Sequence, residues 1–227
     1  MNCLWCHDDI MPDITWLNFW NPFYEPGKIC TTCKEGFPII VDHVCPMCSR
    51  PSKNEEVCGD CQRWSNSEAF QGALERNVSV FSYTPIMKDM MAKWKYRGDY
   101  ELIHMFSEDV RKKFKEAFGK SKATLVPIPL SSSREKERGF NQAKAIAMLL
   151  KRPIESVLTR VQDEKQSKKT RQERMEAENP FQLVKEVKGE IILIDDIYTT
   201  GMTLHWAAEL LKKGGSTKIQ SFTLIRS

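Results

Sequence analysis

Three observations predict an α/β fold, a parallel sheet flanked by helices, behind a small cysteine-rich N-terminal module. Aliphatic runs such as "GEIILID" alternate with helical patterns such as "GMTLHWAAELLKK", and strands that alternate with helices pair in parallel through helical crossovers. All eight cysteines fall within the first 61 residues. Composition then changes after "QRWSNSEAF". The boundary is placed near residue 66, giving a module over 1–66 and an α/β domain over 67–227.

At 227 residues, with 41% hydrophobic and 28% charged content, the chain suits one well-buried domain plus a smaller unit and not a disordered segment. No apolar stretch approaches the ~20 residues that span a bilayer. The start "MNCLWCHDDIMPD" lacks the basic-then-apolar pattern of a signal peptide, so a cytoplasmic location is expected. The net charge of +4 is unevenly spread: residues 1–66 hold 5 Lys and Arg against 9 Asp and Glu, which leaves 29 against 21 in 67–227. An acidic front (−4) and a basic back (+8) suit anionic partners of the second part.

The cysteines form four C-x-x-C pairs: Cys3 and Cys6, Cys30 and Cys33, Cys45 and Cys48, Cys58 and Cys61. Two thiolates at that spacing close on one tetrahedral ion, so four pairs predict two structural four-cysteine zinc sites. A disulfide scaffold would need an oxidising compartment, and a redox dithiol would explain one pair of the four. The last two pairs, 9 residues apart, form a short ribbon, and the first two, 23 residues apart, would share the other ion. A crossed pairing, first with third and second with fourth, stays open. His7 and His43 are read as surface residues beside sites already filled by eight thiolates. Between the first two pairs lie Trp16, Phe19, Trp20, Phe23 and Tyr24. These rings either pack on the zinc module and second domain or form an exposed aromatic surface for a protein or bases.

Along the second part, "NVSVFSYT" (77–84) alternates as a strand does, and "PIMKDMMAKWKY" (85–96) starts a helix with proline at N1. Its Met87, Met90, Met91 and Trp94 repeat at helical spacing and are read as core. "RGD" breaks the chain and 100–118 resume a helical pattern. "ATLVPIPL" (123–130) is a short buried strand, and a helix is expected from near Asn141. Residues 163–178 are polar throughout, a loop or a solvated helix. "GEIILID" is a strand, 202–213 a helix stopped by two glycines, and "TKIQSFTLIRS" the final strand.

The strand 191–194 is wholly aliphatic, as one buried on both faces is, and it releases Asp195 and Asp196 at its carboxyl end. The next helix starts over Thr199, Thr200, Gly201 and Thr203, whose hydroxyls and backbone N–H groups make an anion cradle. Two carboxylates repel a phosphate but suit a neutral diol beside it. A phosphate in the loop and a diol on the aspartates describe a ribose 5-phosphate.

"IILIDDIYTTGMT" resembles the phosphoribosyl-pyrophosphate (PRPP) motif of the type I phosphoribosyltransferases, with Tyr198 in place of the usual aliphatic. With the four cysteine pairs, "KWKYRGDYEL", "VPIPLSSSREKERGFNQA" and "KQSKKTRQER", the whole chain resembles the ComF-type competence proteins. That resemblance implies a zinc-finger module on a type I phosphoribosyltransferase-like fold. It also implies a role in natural transformation, with incoming single-stranded DNA and a ComFA-type helicase as partners, the latter bringing the protein to the inner face of the membrane. PRPP would bind with Mg²⁺ through Asp195, Asp196, Thr199, Thr200, Gly201 and Thr203.

Ser131, Arg134 and Arg138 of "VPIPLSSSREKERGF" then match the pyrophosphate loop. Lys168, Lys169 and Arg171 match the flexible loop that closes over PRPP and excludes water. No acceptor site is recognisable. Thr199 stands where the 6-oxopurine enzymes carry their acid, and position 2 is Asn2 and not the nucleophilic cysteine of an amidotransferase. Residues 134–174 carry 12 Lys and Arg against 6 Asp and Glu, a groove equally fit for a nucleic-acid backbone, with Trp94, Tyr96 and Phe140 as stacking candidates. A competence factor with a retained PRPP pocket is the leading expectation. The alternatives are an active phosphoribosyltransferase on an unidentified acceptor and a PRPP-responsive regulator.

Overall fold

The computed structural model describes residues 1–10, 16, 20, 27–41, 43–96, 98–161 and 179–227. Its strands are β1 (Asn77–Ser82), β2 (Thr124–Pro127), β3 (Leu158–Arg160), β4 (Phe181–Leu183), β5 (Gly189–Tyr198) and β6 (Ser216–Arg226). The helices are α1 (Thr31–Glu35), α2 (Gly59–Ser65), α3 (Pro85–Tyr96), α4 (Ser107–Phe118), α5 (Ser132–Arg138), α6 (Gln142–Leu149) and α7 (Met202–Lys213). Four strands form one parallel sheet in the order β1-β6-β5-β2, as the alternation of strands and helices requires.

β5 divides the core in two. Ile192 and Ile194 pack on one side with Trp94, Phe106 and Ile146; Ile191 and Leu193 pack on the other with Leu204, Ala207 and Leu211 of α7. Side chains of a strand alternate faces, but the alternation shifts at the two acids, since Ile197 packs with the first cluster and Tyr198 with the second. Asp196 reaches α3 through Lys95.

The methionine stripe of α3 is core: Met87, Met90 and Trp94 are inaccessible to solvent and Met91 nearly so. Trp94 is thereby removed as a base-stacking platform. Phe140 leans on the same core, and Tyr96 alone of the three candidates is well exposed.

Residues 100–118 are not one helix. Tyr100–Phe106 is a 3₁₀ turn that runs directly into α4. The buried stripe Ile103, Phe106, Val110 and Phe114 crosses the junction unbroken, which is why periodicity does not reveal it. A second difference is α5, in a stretch expected to be a loop. Ser131 caps it by accepting from the Arg134 N–H, and Gly139 closes it in the left-handed region (φ 75°). None of its residues is buried, so no apolar stripe announces it. α6 begins as expected, capped by Asn141, whose side chain accepts from the Lys144 N–H at 3.1 Å.

β3 and β4 add a separate antiparallel pair, three residues per strand and too short to read from alternation. The N-terminal module is fastened along β1. Ile40 donates its N–H to Val80 O at 2.8 Å, Ser49 Oγ donates to Asn77 O at 3.0 Å, and Phe37 enters the domain core edge-on to Phe106.

Candidate functional site

A cavity of about 200 Å³ opens at the carboxyl ends of β2 and β5, the end of a parallel sheet where ligands lie. β5 brings Asp195 and Asp196 to it, the following turn Thr199, the first turn of α7 Thr203, and α5 brings Arg134 and Arg138. Lys95 reaches in from α3, Arg160 from the end of β3, and Asn141 and Gln142 from the start of α6. Two carboxylates therefore face a cationic wall across a space of sugar-phosphate size.

The carboxylates differ. Asp196 forms an ion pair with Lys95. Asp195 accepts the Asp196 N–H at 2.8 Å, yet burial, and after it the charge of Asp196, pushes its carboxyl up to about 8. Burial, and then Arg134, lowers Arg160 from its ordinary value. Within the cationic wall Arg138 donates to Gln142 Oε1 at 3.0 Å. Arg138 Nε and Gln142 Nε2 remain buried with no acceptor, although buried donors are nearly always satisfied. The cations in the lining, Lys95, Arg134, Arg138 and Arg160, are what an anionic ligand would engage.

Of the residues expected from sequence, Asp195, Asp196, Thr199, Thr203, Arg134 and Arg138 line this cavity together. Thr200 turns its carbonyl to Trp64 Nε1. Gly201 has φ 84° and faces Tyr198: a Cβ there would stand 2.2 Å from the tyrosine Oη. The glycine is thus required by the turn itself, besides any approach of a phosphate. Ser131 is buried and serves as the cap of α5. Lys168, Lys169 and Arg171 lie outside the described residues. Sequence reasoning missed Lys95 and Arg160 as site residues. Lys95 sits in "KWKYRGDYEL", a segment quoted only for its resemblance, whereas Arg160 carries no local signal.

The cysteines gather as Cys3, Cys6, Cys30 and Cys33, and as Cys45, Cys48, Cys58 and Cys61, each set with its sulfurs within 4.8 Å of one another. Pairing therefore follows chain order, and the crossed alternative is excluded. No cysteine is in a disulfide. Sulfurs about 2.3 Å from a common tetrahedral ion lie about 3.8 Å apart; Cys6 to Cys30 is 3.8 Å, Cys45 to Cys61 3.8 Å and Cys48 to Cys58 3.7 Å. The donor sets fit a tetrahedral zinc ion. His7 and His43 stand outside both sets, and His43 faces Glu55 at 3.2 Å. Trp16 and Trp20 are 82% and 76% exposed. Phe19, Phe23 and Tyr24 lie outside the described residues.

Among the described residues no helix is long and apolar enough to cross a membrane. Residues 109–227 match the model of the phosphoribosyl transferase domain, a span that holds β2, β5, β6 and the residues lining the cavity other than Lys95. The chain is 43% identical to "Competence protein ComFC" of Bacillus subtilis (strain 168), over 99% of this chain and 95% of that one. It is 31% identical to "Competence protein ComFC" of Streptococcus pneumoniae (strain ATCC BAA-255 / R6) over the full length of both. Identity to "DNA utilization protein YhgH" of Escherichia coli (strain K12) is 26%, over 96% of this chain and 98% of that one. With two four-cysteine centres ahead of a phosphoribosyltransferase domain, the chain belongs to the ComFC family.

Proposed function

We propose that this protein is a competence factor that handles single-stranded transforming DNA and that its cavity binds PRPP with Mg²⁺. The names of its relatives, competence protein and DNA utilization protein, support the first half. The second half is carried by one observation: the cavity combines two adjacent carboxylates with the cations Lys95, Arg134, Arg138 and Arg160.

In this reading Asp195 and Asp196 accept hydrogen bonds from the ribose diol, and with pyrophosphate oxygens they would hold the Mg²⁺, which favours a few carboxylates plus substrate phosphates. Bound there, the ion would neutralise the pyrophosphate charge. Thr199, Thr200 and Thr203, with Gly201 and the N–H groups at the start of α7, take the 5-phosphate. Ser131, Arg134 and Arg138 serve the pyrophosphate end. Lys168, Lys169 and Arg171 would close over it. A cationic mouth of this kind also fits a DNA backbone. The 1–66 module, with its exposed Trp16 and Trp20, is the surface we assign to a ComFA-type helicase. Such docking would hold a cytoplasmic protein at the inner face of the membrane.

Calorimetric titration of PRPP in MgCl₂, repeated with single-stranded oligonucleotide present, tests both halves. Binding that DNA weakens places both ligands on the cationic mouth. No binding of PRPP, or equal binding by Asp195→Asn/Asp196→Asn, overturns the pocket reading, and no binding of the oligonucleotide overturns the DNA reading. The full complement of acids and cations in one cavity also favours a second reading, transfer of the phosphoribosyl group to an unidentified acceptor. Acceptor-dependent release of pyrophosphate is its assay, and none with nucleobases, amines or oligonucleotides sinks it.

A further inference from the structure

We infer that Trp64 and Arg226 are positioning residues that fix the 198–203 turn to the second four-cysteine centre, so that this centre shapes the proposed 5-phosphate cradle. The ligand in this inference rests on the phosphoribosyl reading. The brace itself rests on geometry alone.

α2 carries Cys61 and, one turn on, Trp64. The indole Nε1 donates to Thr200 O at 2.8 Å. The same ring lies flat on His205, with centroids 4.0 Å apart and planes 15° apart. His205 is buried in the first turn of α7. One residue adjoining the metal ligands thus holds both the turn and the helix start behind it.

Arg226, at the end of β6, is 2% exposed. It donates to Tyr198 O at 3.0 Å and to Thr199 O at 3.0 Å, and its other arm reaches Cys48 Sγ at 3.4 Å. Its guanidinium lies over the Tyr198 ring, 4.8 Å from the centroid. That ring packs in one cluster with Cys45, Cys48 and Cys61. The carbonyls of 198, 199 and 200 are therefore all held from the side of the metal module. A planar trans peptide points its N–H opposite to its C=O. Anchoring those three carbonyls turns the N–H groups of Thr199, Thr200 and Gly201 away from the module, which is the orientation an anion cradle needs. The tyrosine where relatives of the motif use an aliphatic is part of this brace, and its departure from pattern acquires a reason.

Trp64→Phe keeps an aromatic ring beside His205 and deletes the donor; Arg226→Lys keeps the charge and loses the fork. Three quantities are measured on the full chain: zinc per chain, amide exchange across 198–203 against the core strand 191–194, and PRPP affinity in MgCl₂. With two zinc ions retained and 191–194 unchanged, both variants are expected to exchange faster in 198–203. PRPP affinity should fall roughly two- to tenfold in Trp64→Phe, the worth of one neutral hydrogen bond, and roughly tenfold or more in Arg226→Lys, where the lost bonds are charge-assisted. Exchange and affinity like wild type, or changes that appear only with loss of zinc, overturn the inference. Should the wild-type chain bind no PRPP, the ligand reading fails alone, and the exchange comparison still decides the brace.

Discussion

Lys95, in the last turn of α3, forms an ion pair with Asp196, and both side chains are largely shielded from solvent. The ammonium there already holds one of the two acids that, on the proposed reading, would bind a divalent cation. Cation and ammonium compete for one carboxylate. Lys95→Met should therefore tighten the binding of Mn²⁺ alone by about tenfold, the scale of one charge-assisted hydrogen bond. It should at the same time weaken PRPP, which loses a cation from the wall. Titration by proton relaxation enhancement reads the first effect and calorimetry the second. Unchanged Mn²⁺ affinity would show that Lys95 does not guard the acids.

Gly201→Ala combines two penalties. The residue sits at φ 84°, and the new methyl would stand 2.2 Å from Tyr198 Oη and 2.4 Å from Cζ. The variant should melt several degrees below wild type and lose PRPP binding. Adding Tyr198→Leu should return part of the stability, because it removes the collision and leaves the left-handed backbone cost of roughly 1 kcal/mol. Thermal melts of the four chains of this double-mutant cycle supply the coupling. Strict additivity would mean that the tyrosine contact does not limit the site.

The two four-cysteine centres should differ in what their loss does. Cys45, Cys48 and Cys61 belong to the core cluster on the α7 side of the sheet, and Arg226 joins Cys48 to the end of β6. The first centre is tied down partly by exposed ion pairs, Lys28 with Glu101 and Lys34 with Glu108, which contribute little. Cys61→Ser is expected to lower the global melting temperature markedly, whereas Cys6→Ser should release one zinc with a smaller shift. Zinc analysis beside calorimetric melts checks this, and equal shifts would contradict it.

The elements legible in the sequence are those with a strong local signal. The run 191–194 shows burial on both faces, Asn141 is a helix cap before an apolar stripe, and C-x-x-C spacing shows thiolate pairs. The sheet order was not legible, since nothing local to β1 states that it lies beside β6 and not β2. α5 was missed because a short helix with no buried residue has no periodicity, only a cap at Ser131 and a glycine stop. At the site, the motif marked the acids and threonines. Lys95, Arg160 and Gln142 come from three other elements, and their convergence depends on the crossovers. Trp64 is the extreme case, reaching Thr200 across 136 positions of chain.

The raised Asp195 carboxyl makes ligand binding depend on pH in a definite direction. Burial, and then the charge of Asp196, holds it at about 8, far above the ~3.9 of a free aspartate. A folded value above the unfolded one means that the group's contribution to stability is complete below about pH 4. That contribution diminishes as pH rises and is gone once pH passes about 8. The raised value favours a protonated Asp195 in the free site at pH 7, while a carboxylate that accepts from a diol and faces Mg²⁺ must be ionised. PRPP binding should release up to one proton at pH 7 and tighten between pH 7 and 9, a window in which a phosphate monoester, with its second pKa of about 6, is already ionised. Titrations in buffers of different ionisation enthalpy measure the proton directly, and Asp195→Asn should abolish the release. A binding enthalpy independent of buffer at pH 7 would mean that Asp195 either enters the complex protonated or is already ionised in the free site, and the diol role would pass to Asp196 alone.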